Sequence, residues 1–177
     1  MRTVCGILLF CFGLIGCSST RVFDDPVLLP GSVENISDAQ ISAMYQKLIH
    51  KHVQIIAMGD NYLISIPSSE IFYNQSPKFK SSSYDILDNI VCYLRSMRKI
   101  LLKVTVYNNC YQSEQRTKAL TKARAKLVGR YLWSRNIETP IVFTEGAGSG
   151  KPIIAKSSGL DSSPNSRIEI TFRRVES

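Results

Sequence analysis

Leu101-Leu102-Lys103-Val104-Thr105-Val106-Tyr107, followed after a short polar turn by the long run Glu114 to Arg135, is the stretch from which the fold can be read. Leu102, Val104 and Val106 alternate with Lys103, Thr105 and Tyr107, the period of a strand with one face buried. Glu114 to Arg135 then carries Leu120, Ala123, Leu127, Val128 and Tyr131 at helical spacing, which predicts an inner helix face. A strand feeding a long amphipathic helix is a building unit of α/β architecture.

The same alternation of elements continues outward. Upstream, a Ser/Pro-rich loop (Ser76 to Ser83) leads into a predicted helix from about Tyr84 to Arg98. Ser82-x-x-Asp85 reads as a capping box there. Ile86, Leu87, Ile90, Val91, Leu94 and Met97 form its buried stripe, and Arg95, Arg98 and Lys99 stand where the helix dipole favours cations. Earlier still, Val53 to Met58 and Tyr62 to Ile66 are β-rich runs around Gly59-Asp60-Asn61, a hairpin signal. Before them, Ser37 caps a helix with Ile41, Met44, Tyr45 and Leu48 on one face. Downstream, Ile141 to Thr144 and Arg167 to Arg173 read as strands separated by a Gly-rich loop. Helices interleaved with strands predict an α/β (α+β) two-layer sandwich over residues 37–177. No internal repeat is present.

The N-terminus has the parts of an export signal. Arg2 supplies positive charge, and Val4 to Ile15 is almost wholly apolar but too short for the roughly 20 residues that span a bilayer core. A short membrane anchor or an ordinary secretory signal are the plain readings. Leu14-Ile15-Gly16-Cys17 resembles the bacterial lipobox, in which the cysteine is acylated before cleavage on its N-terminal side. The expectation is therefore a cleaved signal peptide (1–16), then Cys17 bearing S-diacylglycerol and an N-acyl chain at the head of a tether (17–36). At about 0.8 kcal/mol per buried CH₂, three chains anchor permanently. Ser18, in place of the Asp typical of inner-membrane retention, points to the outer membrane, with the domain in the periplasm.

With Cys5 and Cys11 in the leader and Cys17 lipidated, Cys92 and Cys110 are left as thiols. In an oxidising compartment they are candidates for a disulfide, and equally for two buried free cysteines. The chain has a formal net charge of +8. Export argues against nucleic acid. Its basic residues are scattered, which suits anionic envelope material, acidic protein surfaces or plain solvation.

Several chemistries are excluded. Gly146-Ala147-Gly148-Ser149-Gly150-Lys151 invites a phosphate-loop reading, but Glu145 stands where the first glycine belongs and Pro152 follows the lysine. His50 and His52 are the only histidines, without a Cys or carboxylate cluster to complete a metal site. No triad or nucleophile elbow can be assembled. The expectation is a protein that is not an enzyme, with no metal and no cofactor beyond the covalent lipid.

From Gly59 to Val175 the chain resembles the OmpA/Pal-like peptidoglycan-associated domain. The resemblance is carried by Gly59-Asp60, by Ile64-Ser65-Ile66-Pro67 and Ile71-Phe72 as opening strands, and by Val104 to Asn109 at the place of a strand ending in a His-Thr-Asp type turn. Leu120-Thr121-Lys122-Ala123-Arg124-Ala125 matches a Leu-Ser-x-x-Arg-Ala helix motif. Gly146-x-Gly148 with Pro152, and Asn165-Ser166-Arg167-Ile168-Glu169-Ile170, match the later loop and strand. The resemblance implies an OmpA-like fold and a pocket for the diaminopimelate of peptidoglycan. There, an arginine fork takes a carboxylate and an Asp takes an ammonium. Arg124 retains the arginine. The Asp is replaced by Asn109, so the pocket reads as degenerate and peptidoglycan binding as weak. Phe72 and Thr121 complete the candidate pocket set.

Arg124 falls within the apolar seam of its helix and needs a partner. Ligand binding and internal satisfaction by backbone carbonyls or a neighbouring acid are both open from sequence. The small size, short tether and degenerate turn are similar to those of the OmpA-like lipoprotein of Dot/Icm type IV secretion systems. That similarity implies a structural role beside other secretion proteins of an outer-membrane core complex. The alternative is a Pal-like tether holding the outer membrane to peptidoglycan.

Overall fold

The computed structural model describes residues 37–109, 113–155 and 161–175. Cys17, the leader, the tether and Cys110 lie outside the described residues.

Among the described residues nine elements follow one another: α1 (Asp38–His50), β1 (Gln54–Met58), β2 (Asn61–Pro67), α2 (Ser68–Ile71), α3 (Ser83–Arg95), β3 (Leu101–Tyr107), α4 (Glu114–Ser134), β4 (Ile141–Gly148) and β5 (Arg167–Arg173). The strands form one sheet in the order β1-β2-β5-β3-β4. Only β3 and β4 pair in parallel, and α4 is the crossover that joins them. The C-terminal strand β5 is inserted between β2 and β3, antiparallel to both. Ile64, Ile66, Leu102, Val104, Val106, Ile168 and Ile170 are all fully enclosed, and their register puts them on one face of the sheet. Leu87, Ile90 and Leu94 of α3 and Val128 and Leu132 of α4 meet that face and close the core. The architecture is the expected two-layer α/β sandwich.

Local chemistry explains most element ends. Ser37 caps α1 in a reciprocal box: its hydroxyl accepts from Gln40 N at 3.4 Å, and Gln40 Oε1 accepts from Ser37 N at 3.0 Å. The capping box expected at Ser82-x-x-Asp85 does not form. Ser82 has helical rather than extended backbone and makes no side-chain cap bond. Ser83 is drawn back instead, its N–H and Oγ both donating to Lys80 O. α3 ends at Arg95, earlier than expected, because buried Lys99 folds under it and donates to Leu94 O (2.5 Å) and Met97 O (3.1 Å). Ile71 and Phe72 are not strand residues. They close the single turn α2, after which Phe72 makes one bridge with Phe79.

Two further expectations are corrected. The inner face of α4 is Thr117, Thr121, Arg124, Ala125, Val128, Gly129 and Leu132, while Ala123 is exposed and Leu120, Leu127 and Tyr131 are half-buried. β4 also runs through Gly148, so Gly146 and Gly148 belong to a strand and not to a loop. Both follow from how closely α4 lies on β4. A Cβ on Gly129 would come 2.3 Å from Thr144 Cγ2, and one on Gly146 would come 2.2 Å from Lys122 N. Two missing side chains bring that helix down onto that strand. On α1, Leu48 is buried and Ile41 and Met44 half-buried, whereas Tyr45 turns outward.

Candidate functional site

Arg124 is the largest wholly enclosed side chain among the described residues. It projects from α4, three residues beyond Thr121, into a space closed by α2, the segment after it and the approach to β5. Each edge of its guanidinium is used. Nη1 donates to Asp161 Oδ1 at 2.9 Å and Nη2 to Asp161 Oδ2 at 2.7 Å, a two-pronged fork on a carboxylate that is 4 % exposed. Nε donates to Ser76 O at 2.9 Å and Nη2 also to Tyr73 O at 3.2 Å. The guanidinium carbon lies 4.7 Å from the centroid of the Phe72 ring.

The carboxylate is held from the other side as well. Gln75 donates to Asp161 through its backbone N–H (2.8 Å) and its side-chain amide (3.4 Å). Gln75 adopts a left-handed φ of 52° in the turn that brings this about. Arg124, Asp161 and Gln75 therefore form one polar knot, with the Phe72 ring against the guanidinium. Such a knot is stabilising only while every member is satisfied.

The remaining candidate residues sit around the same end of the sheet. Thr121 is buried, accepts from Gly148 N (3.1 Å) and donates to Lys118 O (3.1 Å), pinning α4 to the end of β4. Asn109 follows β3, is half-buried, and donates its backbone N–H to Ser166 Oγ at 3.2 Å. Asn108, not singled out from sequence, is the more enclosed of the two asparagines, and its Oδ1 accepts from the same Ser166 hydroxyl. Arg167 makes a second knot, with Nε on Glu169 (2.7 Å), Nη2 on Lys151 O (3.2 Å) and its guanidinium 4.1 Å from the Tyr107 ring centre. Burial, then Glu169, raise the Tyr107 phenol above its ordinary value. Asn165 holds the preceding loop, accepting from Ile153 N and Ile154 N.

Sequence reasoning required a partner for Arg124 but did not name Asp161, which is 37 residues away with no local pattern to mark it. Cys92 carries a free, half-buried thiol, and the candidate bridge to Cys110 falls outside the described residues. His52 is exposed and 3.9 Å from Glu70. Among the described residues no group of three His, Cys, Asp or Glu side chains could hold a metal, and no helix is long and apolar enough to cross a membrane.

An antiparallel sheet with one parallel pair, helices on a single face and a buried arginine fork define the domain as a two-layer α/β sandwich. Residues 71–166 match the OmpA family, and the chain belongs to that family. No curated protein matches it. Among solved structures, the cell wall anchor of the type VI secretion system from Pseudomonas aeruginosa is similar, with a TM-score of 0.63 and 20 % identity over 76 % of this chain and 97 % of that one. The periplasmic domain of MotB from Helicobacter pylori has a TM-score of 0.56 and 17 % identity, over 69 % and 79 %. An outer membrane protein from Borrelia burgdorferi B31 has a TM-score of 0.53 and 20 % identity, over 69 % and 97 %. At these identities the likeness is one of fold.

Proposed function

We propose that this chain is an outer-membrane lipoprotein, anchored through acylated Cys17, whose OmpA-like domain is a non-catalytic structural subunit of the DotK (IcmN) type in a type IV secretion core complex. The observation that carries the structural reading is the Arg124–Asp161 fork. The guanidinium that would receive a ligand carboxylate already holds one supplied by the chain itself, with both groups sealed from solvent. Asn109, at the position where the resemblance places an acid, leaves the ligand's ammonium without a charged acceptor. A charge-assisted bond is worth about twice a neutral one, so external binding is weakened at both of its poles.

Purified sacculi test this reading: the domain should remain in the supernatant under conditions that sediment a wall-binding control. A second reading, a tether to peptidoglycan, is favoured by the retained arginine and by the fold shared with a cell wall anchor. Tight sedimentation of the wild type would promote it.

A further inference from the structure

Among the described residues the sheet ends at β4, which pairs there only with β3. The first half of that edge, Ile141-Val142-Phe143-Thr144, carries no charge and no proline, and Ile141 and Phe143 are 40 % and 55 % exposed. Folded proteins guard an open edge with charge, proline or a bulge, because its free N–H and C=O groups are a template for another strand. Here Pro140 stops short of the strand, and the register irregularity falls beyond this segment, opposite Val106/Tyr107. The intervening stretch is bare.

A groove of about 950 Å³ runs beside this edge, lined by Trp133, Pro140, Ile141 and Val142 together with Lys126 and Arg130. Those two cations are its only charged lining residues. Both are exposed, and no acid among the described residues pairs with either. The one acid on β4, Glu145, is already held by Lys103 at 2.6 Å. The edge thus offers backbone partners, an aromatic wall at Trp133 and uncompensated positive charge in one place.

We infer that β4 and the α4 groove are a docking site for an extended acidic segment of a partner protein, which adds a strand to the sheet. Strand addition takes affinity from main-chain hydrogen bonds and specificity from alternate side chains. One row of the incoming segment faces the groove, with carboxylates at Lys126 and Arg130 and apolar groups on Trp133. The other row lies beside Phe143. This surface is separate from the Arg124 knot, and the inference holds whichever envelope role the domain serves.

The test places a photo-crosslinking amino acid at Phe143 in the full-length chain in its native cells. The same probe at Met58, on the opposite edge strand β1, is the control. The expected result is an adduct from position 143 and none from 58, mapped by peptide mass spectrometry to an acidic segment of another protein. The paired variant Lys126→Glu/Arg130→Glu should lower its yield at least tenfold while the thermal melt stays at wild-type temperature. The inference is overturned by no adduct at 143, equal adducts at both positions, an adduct to lipid or to a second copy of this chain, or a yield indifferent to charge reversal.

Discussion

Asp161 presents both carboxylate oxygens to the guanidinium of Arg124, at 2.7 and 2.9 Å, and neither side chain is more than 4 % exposed. The chain has thus built into its own interior the type of contact that a guanidinium fork offers an incoming acid.

Breaking that contact from one side strands a charge in the core. Asp161→Asn should cost about 3–5 kcal/mol, the range for removing one partner of a buried pair. Arg124→Ala should cost a similar amount, since Ser76 O then loses its donor as well, while Tyr73 O keeps the Ser76 N–H. Replacing both, as Arg124→Met with Asp161→Leu, should recover most of the loss. Urea unfolding of the three variants is the measurement. If Asp161→Asn unfolds at the wild-type midpoint, the pair is not holding the domain together.

Binding to sacculi should follow a different order. The wild type should bind weakly, and Arg124→Ala should bind no more weakly. Asn109→Asp alone should gain little while Asp161 occupies the fork. Freeing the arginine with Asp161→Ala and adding Asn109→Asp should raise co-sedimentation by roughly tenfold or more, the scale of one charge-assisted bond. Strong wild-type binding abolished by Arg124→Ala would falsify the structural reading.

Lys99 gives the domain an alkaline pH dependence of calculable sign. Burial pushes its ammonium down to about 8 in the folded protein, whereas the unfolded chain keeps that proton to about 10.4. Between those values the unfolded state binds more protons, so stability rises with pH, by roughly 2–3 kcal/mol at most. Above pH 10 the trend reverses. Burial pushes the Tyr93 phenol up to about 12, the folded state then holds the extra proton, and stability falls. Lys99→Met should remove the rise and leave the fall. Urea midpoints from pH 7.5 to 10.5 would show it, and parallel curves for the two proteins would refute the assignment.

Acylation at Cys17 is checked separately. Cys17→Ser should accumulate as uncleaved precursor, take up no palmitate analogue and leave the outer-membrane fraction. Continued labelling of that variant would mean the leader is read as something other than a lipobox.

Much of the fold was legible because its signals are local. The strand at Leu101 to Tyr107 and the stripe from Ile86 to Leu94 needed only neighbours in sequence, and both form, although Thr105 and Tyr107 on the second face of β3 are buried as well. The inner face of α4 was misplaced because hydrophobicity ranked Leu120 and Ala123 above Thr121 and Arg124. The helix is instead rotated to put Gly129 against Thr144 and Arg124 into its knot. β4 was cut short at Thr144 because glycine argues against a strand, although here glycine is what lets α4 approach. Ser82 failed as a cap through competition from Lys80 O for the next residue. Arg124 announced itself as a polar group in an apolar seam. Asp161 could not, since a long-range ion pair leaves no periodicity to find.

The placement of the first elements has a mechanical consequence. Among the described residues the chain enters the domain through α1 and then β1, an edge strand paired there only with β2, while β5 near the C-terminus is gripped on both sides. Tension arriving from the N-terminal side therefore meets the hairpin where Gln54 pairs with Ser65. It peels that ladder one rung at a time and does not shear all its rungs together. A pull from that side would let out α1 and β1 as slack before it reached β3, α4 and the Arg124–Asp161 knot. The domain has in effect a yielding strap in series with a stiff buckle.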